Sequence, residues 1–120
     1  MEIPVLAKTM EPDNLYHIYL FYVSDRWCAF GYSAYYLSIM YPELDASGES
    51  FSLGDGDCLP FLPVSETCLL TLSDYYTTLV SDAYIQVSAP PIAYSRRKSY
   101  DRWCSKLIAN KNQLHILKHP

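Results

Sequence analysis

The run Leu15–Tyr36, LYHIYLFYVSDRWCAFGYSAYY, limits the possible folds more than any other part of this chain. Leu15–Val23 is apolar almost throughout and rich in aromatic and β-branched residues. That pattern suits a strand covered on both faces, and hence one lying centrally in its sheet. Ser24, Asp25 and Arg26 supply a turn, and Trp27–Gly31 reads as a second strand, antiparallel to the first. Ser33 stands where a helix N-cap would be. Tyr36, Leu37, Met40 and Tyr41 then fall at helical spacing, and Pro42 disfavours helical backbone at Tyr41 and stops the helix.

The rest of the chain adds fewer elements. Residues 1–14, with Pro4 and Pro12, read as an irregular lead-in. Residues 43–63 read as a loop-rich insertion: 43–58 is polar and holds three of the four glycines, with a short strand at Phe51–Leu53 inside it. Leu59–Val64 carries two prolines, which confines it to an edge or a connector. Thr67–Leu72 reads as a strand. Ser73 is placed to cap a helix through Ser81, with Tyr76, Leu79 and Val80 on its inner side. Tyr84–Ser88 is another strand, ended by Pro90 and Pro91. Residues 96–112 read as a basic amphipathic helix, with Tyr100, Trp103, Cys104, Leu107 and Ile108 as its apolar stripe and Lys98, Arg102 and Lys106 as a ridge spaced by four. The order β-β-α-(β)-β-α-β-α predicts an α/β (α+β) fold: a single mixed sheet of about five strands with three flanking helices, in one domain over residues 1–120.

Half of the residues are hydrophobic and 18% are charged, which marks a globular chain. The opening residues carry acids and prolines where a secretory leader needs a basic start and a long apolar core, so a cytoplasmic location is expected. No apolar stretch reaches about 18 residues, so no membrane contact is expected. Cys28, Cys58, Cys68 and Cys104 are too scattered for a zinc pattern and read as reduced thiols, so no metal or other cofactor is expected. Charge is divided along the chain. Residues 1–93 hold twelve acids against Lys8 and Arg26, a balance of −10. Residues 94–120 hold Arg96, Arg97, Lys98, Arg102, Lys106, Lys111 and Lys118 against Asp101, a balance of +6. Such asymmetry suits either a basic arm for nucleic acid or a basic helix lying on its own acidic domain.

Chemistry-bearing patterns are sparse. His17 and Cys28 sit on the two strands of the first hairpin and are the one catalytic pair the sequence nominates. His115 and His119 are four apart but lack the Glu of a metal-binding HExxH helix. The acids Asp45, Glu49, Asp55 and Asp57 lack the spacing of a calcium loop. GDGD at 54–57 lacks the lysine and following helix of a phosphate cradle.

Tyr19–Ala34 (YLFYVSDRWCAFGYSA) resembles the start of the mismatch-recognition domain, the first domain, of MutS-type DNA repair proteins. In that family an apolar strand runs into a motif close to G-D-F-Y-E-x-F-G-x-D-A and then a helix. Leu72–Val87 (LSDYYTTLVSDAYIQV) is similar to the family's L-D-x-Y-L-x-x-L-V-x-x-G-Y-x-V stretch, a helix feeding a strand. Tyr75, Leu79, Val80 and Tyr84 fall on matching places, and Ala83 replaces the glycine. The two segments cover about a quarter of the chain. The resemblance implies a mixed sheet flanked by helices. It does not transfer mismatch reading, because Arg26 and Cys28 stand where the family has its wedging Phe and its bonding Glu.

The expectation is therefore a small, non-catalytic binding module, with a protein partner favoured by the acidic body. Arg26 and Trp27 at the hairpin turn, and Arg96, Arg97, Lys98, Arg102 and Lys106 on the basic helix, are the candidate contacts. The alternatives are a nucleic-acid-binding accessory protein using that helix, an enzyme using His17 and Cys28, and a homo-oligomer joined through Tyr-rich edges.

Overall fold

The structure, a computed structural model, describes residues 3–11, 14, 17–54, 57–88 and 99–107; the side chains of 51–54, 57 and 58 are not described. The elements run α1 (Val5–Met10), β1 (His17–Val23), β2 (Arg26–Phe30), α2 (Gly31–Met40), a 3-10 helix (Pro42–Ser47), β3 (Glu49–Gly54), β4 (Asp57–Val64), α3 (Glu66–Tyr75), β5 (Thr78–Val80) and β6 (Ile85–Ser88). Residues 99–107 form a further helix, α4. The α+β class is as the sequence predicts, in one sheet of order β3-β4-β2-β1-β6-β5. Every pairing is antiparallel, where a mixed sheet was expected; β3 contains the short strand expected at Phe51–Leu53, and the count rises to six because β4 and β5 are added while the strand expected at Thr67–Leu72 is lost.

The first hairpin forms as its pattern dictates. Ser24 and Asp25 both have positive φ, 52° and 65°, the backbone of a tight turn that matches the twist of its strands. β1 pairs with β2 and β6 and is covered on both sides. Its even positions Ile18 and Leu20 join Ala29, Leu62, Val64, Ile85 and Val87 beneath α2 and α4. Its odd position Phe21 joins Cys28, Phe30, Leu59 and Phe61, with α1 contributing Ala7 and flanking Ile3 and Met10. Period-2 alternation with both faces buried is why the strand reads as unbroken apolar sequence.

Several expected elements differ. The lead-in contains α1. The 43–63 segment contains a 3-10 helix and the β3–β4 hairpin, and β4 lies between two strands. Its prolines are tolerated because the pairing is staggered. Pro60 pairs with Ser50 of β3 beyond the end of the β2 ladder, and Pro63 pairs with Cys28 of β2 beyond the end of the β3 ladder. Phe61 is the position paired on both sides, so each proline has one open flank for its missing N–H. The strand expected at Thr67–Leu72 is helical instead. Ser65, eight residues before the expected cap, accepts a hydrogen bond from the Cys68 N–H at 3.1 Å and starts α3. The helix ends at Tyr75, and the β-branched run that follows becomes β5, so the helix expected through Ser81 is absent.

Candidate functional site

β5 is built from Thr78, Leu79 and Val80 and lies at one end of the sheet. The Ser88 N–H donates to the Thr77 carbonyl at 3.0 Å, and the Ser81 N–H donates to the Tyr84 carbonyl at 2.9 Å. Leu79 pairs with Gln86 midway between them. By antiparallel alternation, Leu79 aims its backbone at β6, while Thr78 and Val80 turn their N–H and C=O groups outward. The turn that sets this edge is braced by Ser81, whose hydroxyl oxygen accepts from the N–H groups of Ala83 and Tyr84.

The side chains around the edge are apolar and open to water. Leu79 is 59% and Val80 78% exposed, and α3 adds Leu70 at 65% and Tyr75 at 77%. Half of the large exposed hydrophobic residues among the described residues therefore fall within eleven positions. Asp74 and Asp82 flank them, both exposed. The opposite edge, β3, has an irregular register between Ser52 and Gly54, a feature that discourages strand addition. β5 has no such interruption.

The nominated catalytic pair is not brought together. His17 pairs with Ser88, whereas Cys28 pairs with Phe21, four positions further along β1 and about 13 Å away at normal strand rise. Cys28 is fully buried in the aromatic cluster, and burial pushes its thiol above its usual range. That disfavours the thiolate a nucleophile needs. The His17 ring lies 3.5 Å from the Gln86 amide and tilts against Tyr19.

Arg26 and Trp27 are neighbours in sequence but point to opposite faces of β2. Arg26 is exposed and lines a cleft of about 550 Å³ with Leu44, Glu49 and Pro63. Trp27 is half-buried against the α2-side core, its ring 5.2 Å from that of Tyr22. On α4, Trp103, Cys104 and Leu107 are core residues, while Arg102 and Lys106 are exposed. The Trp103 Nε1–H donates to Asp45 at 3.1 Å, and Asp45 also accepts from the Ser38 hydroxyl. The described stretch of the basic helix, residues 99–107, is thus docked on the acidic body through its apolar face. Arg96, Arg97, Lys98, Ile108, His115 and His119 lie outside the described residues. Cys28, Cys68 and Cys104 are not joined in disulfides. Among the described residues, no group of three His, Cys, Asp or Glu is placed to hold a metal, and no helix is long and apolar enough to cross a membrane.

A second feature is a buried polar cluster that the sequence did not single out. Glu11, 2% exposed, ends α1 and reaches the start of α2. It accepts from the Ser33 N–H at 2.8 Å, the Ser33 hydroxyl at 2.7 Å and the Asn14 amide at 3.1 Å. Ser33 is therefore not the N-cap of α2; Glu11 satisfies that helix terminus from 22 residues away. The Ser33 oxygen also accepts from the Tyr19 N–H, and Asn14 ties to the His17 backbone in both directions. Burial outweighs these bonds and raises the Glu11 carboxyl from 4.5 to about 7. Gly31, at φ +56°, is matched to this contact: a Cβ there would lie 2.8 Å from that of Glu11. The chain matches no protein-family model, no curated protein and no solved structure.

Proposed function

We propose that the protein is a small, non-catalytic binding module that captures an extended segment of a protein partner along β5. The observation that carries this reading is the outward-turned backbone of Thr78 and Val80 set among exposed Leu79, Val80, Tyr75 and Leu70. A strand added there gains main-chain hydrogen bonds and covers apolar side chains together. Charge selects the partner. Asp74 and Asp82 flank the edge of a body that is acidic over residues 1–93, which favours a segment with basic ends over pairing with the same edge of a second copy. Kinship with the MutS first domain is a separate proposal. The strand-turn-strand-helix unit at Tyr19–Ala34 supports it, whereas the all-antiparallel sheet and the strand at Thr78–Val80 depart from what that resemblance implies.

The test is selection from a displayed decapeptide library, apolar at alternate positions and basic at both ends, followed by anisotropy titrations. Val80→Pro removes an outward N–H without touching the β6 ladder, and should weaken binding by about tenfold or more. Raised salt should weaken it further, because the flanking charges are exposed. Equal binding by Val80→Pro, no selected peptide, a dimer formed through β5, or binding that is lost with Arg102→Glu and Lys106→Glu would overturn the proposal. The last of these would favour the basic helix and nucleic acid.

A further inference from the structure

The sheet face opposite α2 and α4 carries Phe21, Cys28, Phe30, Leu59 and Phe61, and the described element lying on it is the six-residue α1. α1 is lightly held by packing. Ala7 is its buried residue, Val5 is 75% and Leu6 42% exposed, and a cleft of about 400 Å³ opens between its start and the end of β1, lined by Ile3, Pro4, Val5, Tyr22 and Val23. The polar tie is at its other end, where Glu11 accepts from Ser33 and Asn14. Asn14 is held independently, by the His17 backbone and by the Tyr36 hydroxyl, which donates to the Asn14 carbonyl at 2.9 Å. Loss of the Glu11 carboxyl contacts leaves the bond from the Asn14 N–H to the Glu11 carbonyl, at 3.1 Å, as a hinge about which α1 can lift while the entry to β1 stays in place.

We propose that α1 is a detachable strap over the aromatic face of the sheet, latched by Glu11 on the first turn of α2, and that rising pH loosens the latch. The direction follows from the burial of the carboxyl. In the latched state Glu11 holds its proton up to about pH 7, while a released, hydrated Glu11 ionises near its ordinary 4.5. Each pH unit between those values therefore favours release by up to about tenfold, and the effect levels off above pH 7. The ionisable groups on the elements packed around Glu11 are Lys8 of α1, His17, Tyr19 and Tyr22 of β1, and Tyr32, Tyr35 and Tyr36 of α2. The interactions that bear on the Glu11 carboxyl are burial and hydrogen bonds from Ser33, Asn14 and the Tyr32 backbone, with no ion pair among them. Release opens the cluster that Cys28 shares with Ala7 of α1, whereas Cys104 lies in the core on the other face.

The experiment is alkylation of the whole protein from about pH 5 to about pH 8, with each cysteine read by peptide mapping. Dividing each rate by that of the same cysteine in the guanidinium-unfolded chain removes the pH dependence of thiol chemistry. The expected result is that Cys28 loses protection by about 30-fold or more over this range and labels at least about tenfold faster than Cys104 at the upper end. Glu11→Gln, which cannot ionise, should flatten the Cys28 profile. Equal labelling of Cys28 and Cys104 would show global rather than local opening and overturn the strap. A pH-independent Cys28 protection in the unmodified protein, which needs no variant to fold, would overturn the latch.

Discussion

Gly31 and Glu11 are a matched pair at the junction of β2 and α2. The positive φ of Gly31 is one that side chains rarely adopt, and the space its Cβ would fill is taken by the Glu11 side chain, with Cγ at 3.1 Å. Gly31→Ala should lower stability by about 2–4 kcal/mol, combining left-handed strain with a displaced Glu11, measured by urea unfolding. The Glu11 carboxyl makes the opposite use of the same site. Its folded pKa of about 7 lies above the unfolded 4.5, so the folded state binds the extra proton. Its contribution is fully present below about pH 4.5 and is lost as pH rises toward 7. The loss amounts to about 3 kcal/mol relative to a side chain that does not titrate. Stability of the unmodified protein minus that of Glu11→Gln should therefore fall across this window; a constant difference would show that Glu11 does not take up a proton on folding. None of this was legible residue by residue. Ser33 looked like a cap because its neighbours begin a helix, and its actual partner is 22 positions away.

Among the elements, legibility followed the strength of local pattern. β1, a long apolar run, and β2 and α2 form within a few residues of their expected bounds, and residues 99–107 are helical inside the span expected for α4, with Trp103, Cys104 and Leu107 of its stripe buried. TCLLTL has no clear period, and its strand-like composition yields to the Ser65 cap and to the burial of Leu72, while the helix accommodates its hydroxyls on its own carbonyls. Thr71 donates to the Thr67 carbonyl, and Ser73 to that of Leu70. Replacing Ser65 by Ala should cost about 1 kcal/mol of stability, and circular dichroism should show the loss in helical signal at intermediate urea. No change would mean that packing of Leu72 alone holds α3. β4 was obscured for a different reason. Proline counts against a central strand only if its neighbours are paired on both sides, and stagger is a property of three strands that no single segment displays. The exposure of β5 is hidden in the same way: TTLV reads as a buried helix face until the sheet ends there.

At the scale of the molecule, the six-stranded sheet separates two unlike surfaces. One is closed by α2 and α4, with Trp103 hydrogen-bonded to Asp45 across the acidic body. The other rests beneath a short helix held by one buried carboxyl. The sequence predicted contacts at the Arg26–Trp27 turn and on the basic helix, whereas the fold leaves its concentrated apolar surface at the far edge. The composition located the charge but not the edge, since edge position depends on which strands pair. The most direct test is residue-resolved amide hydrogen exchange, by NMR, with and without a selected peptide. In the free protein Thr78 and Val80 should exchange fast and Leu79 slowly, and bound peptide should slow Thr78 and Val80 by about tenfold or more. Saturating peptide that leaves both amides fast, or protects Arg102 and Lys106 instead, would contradict the account.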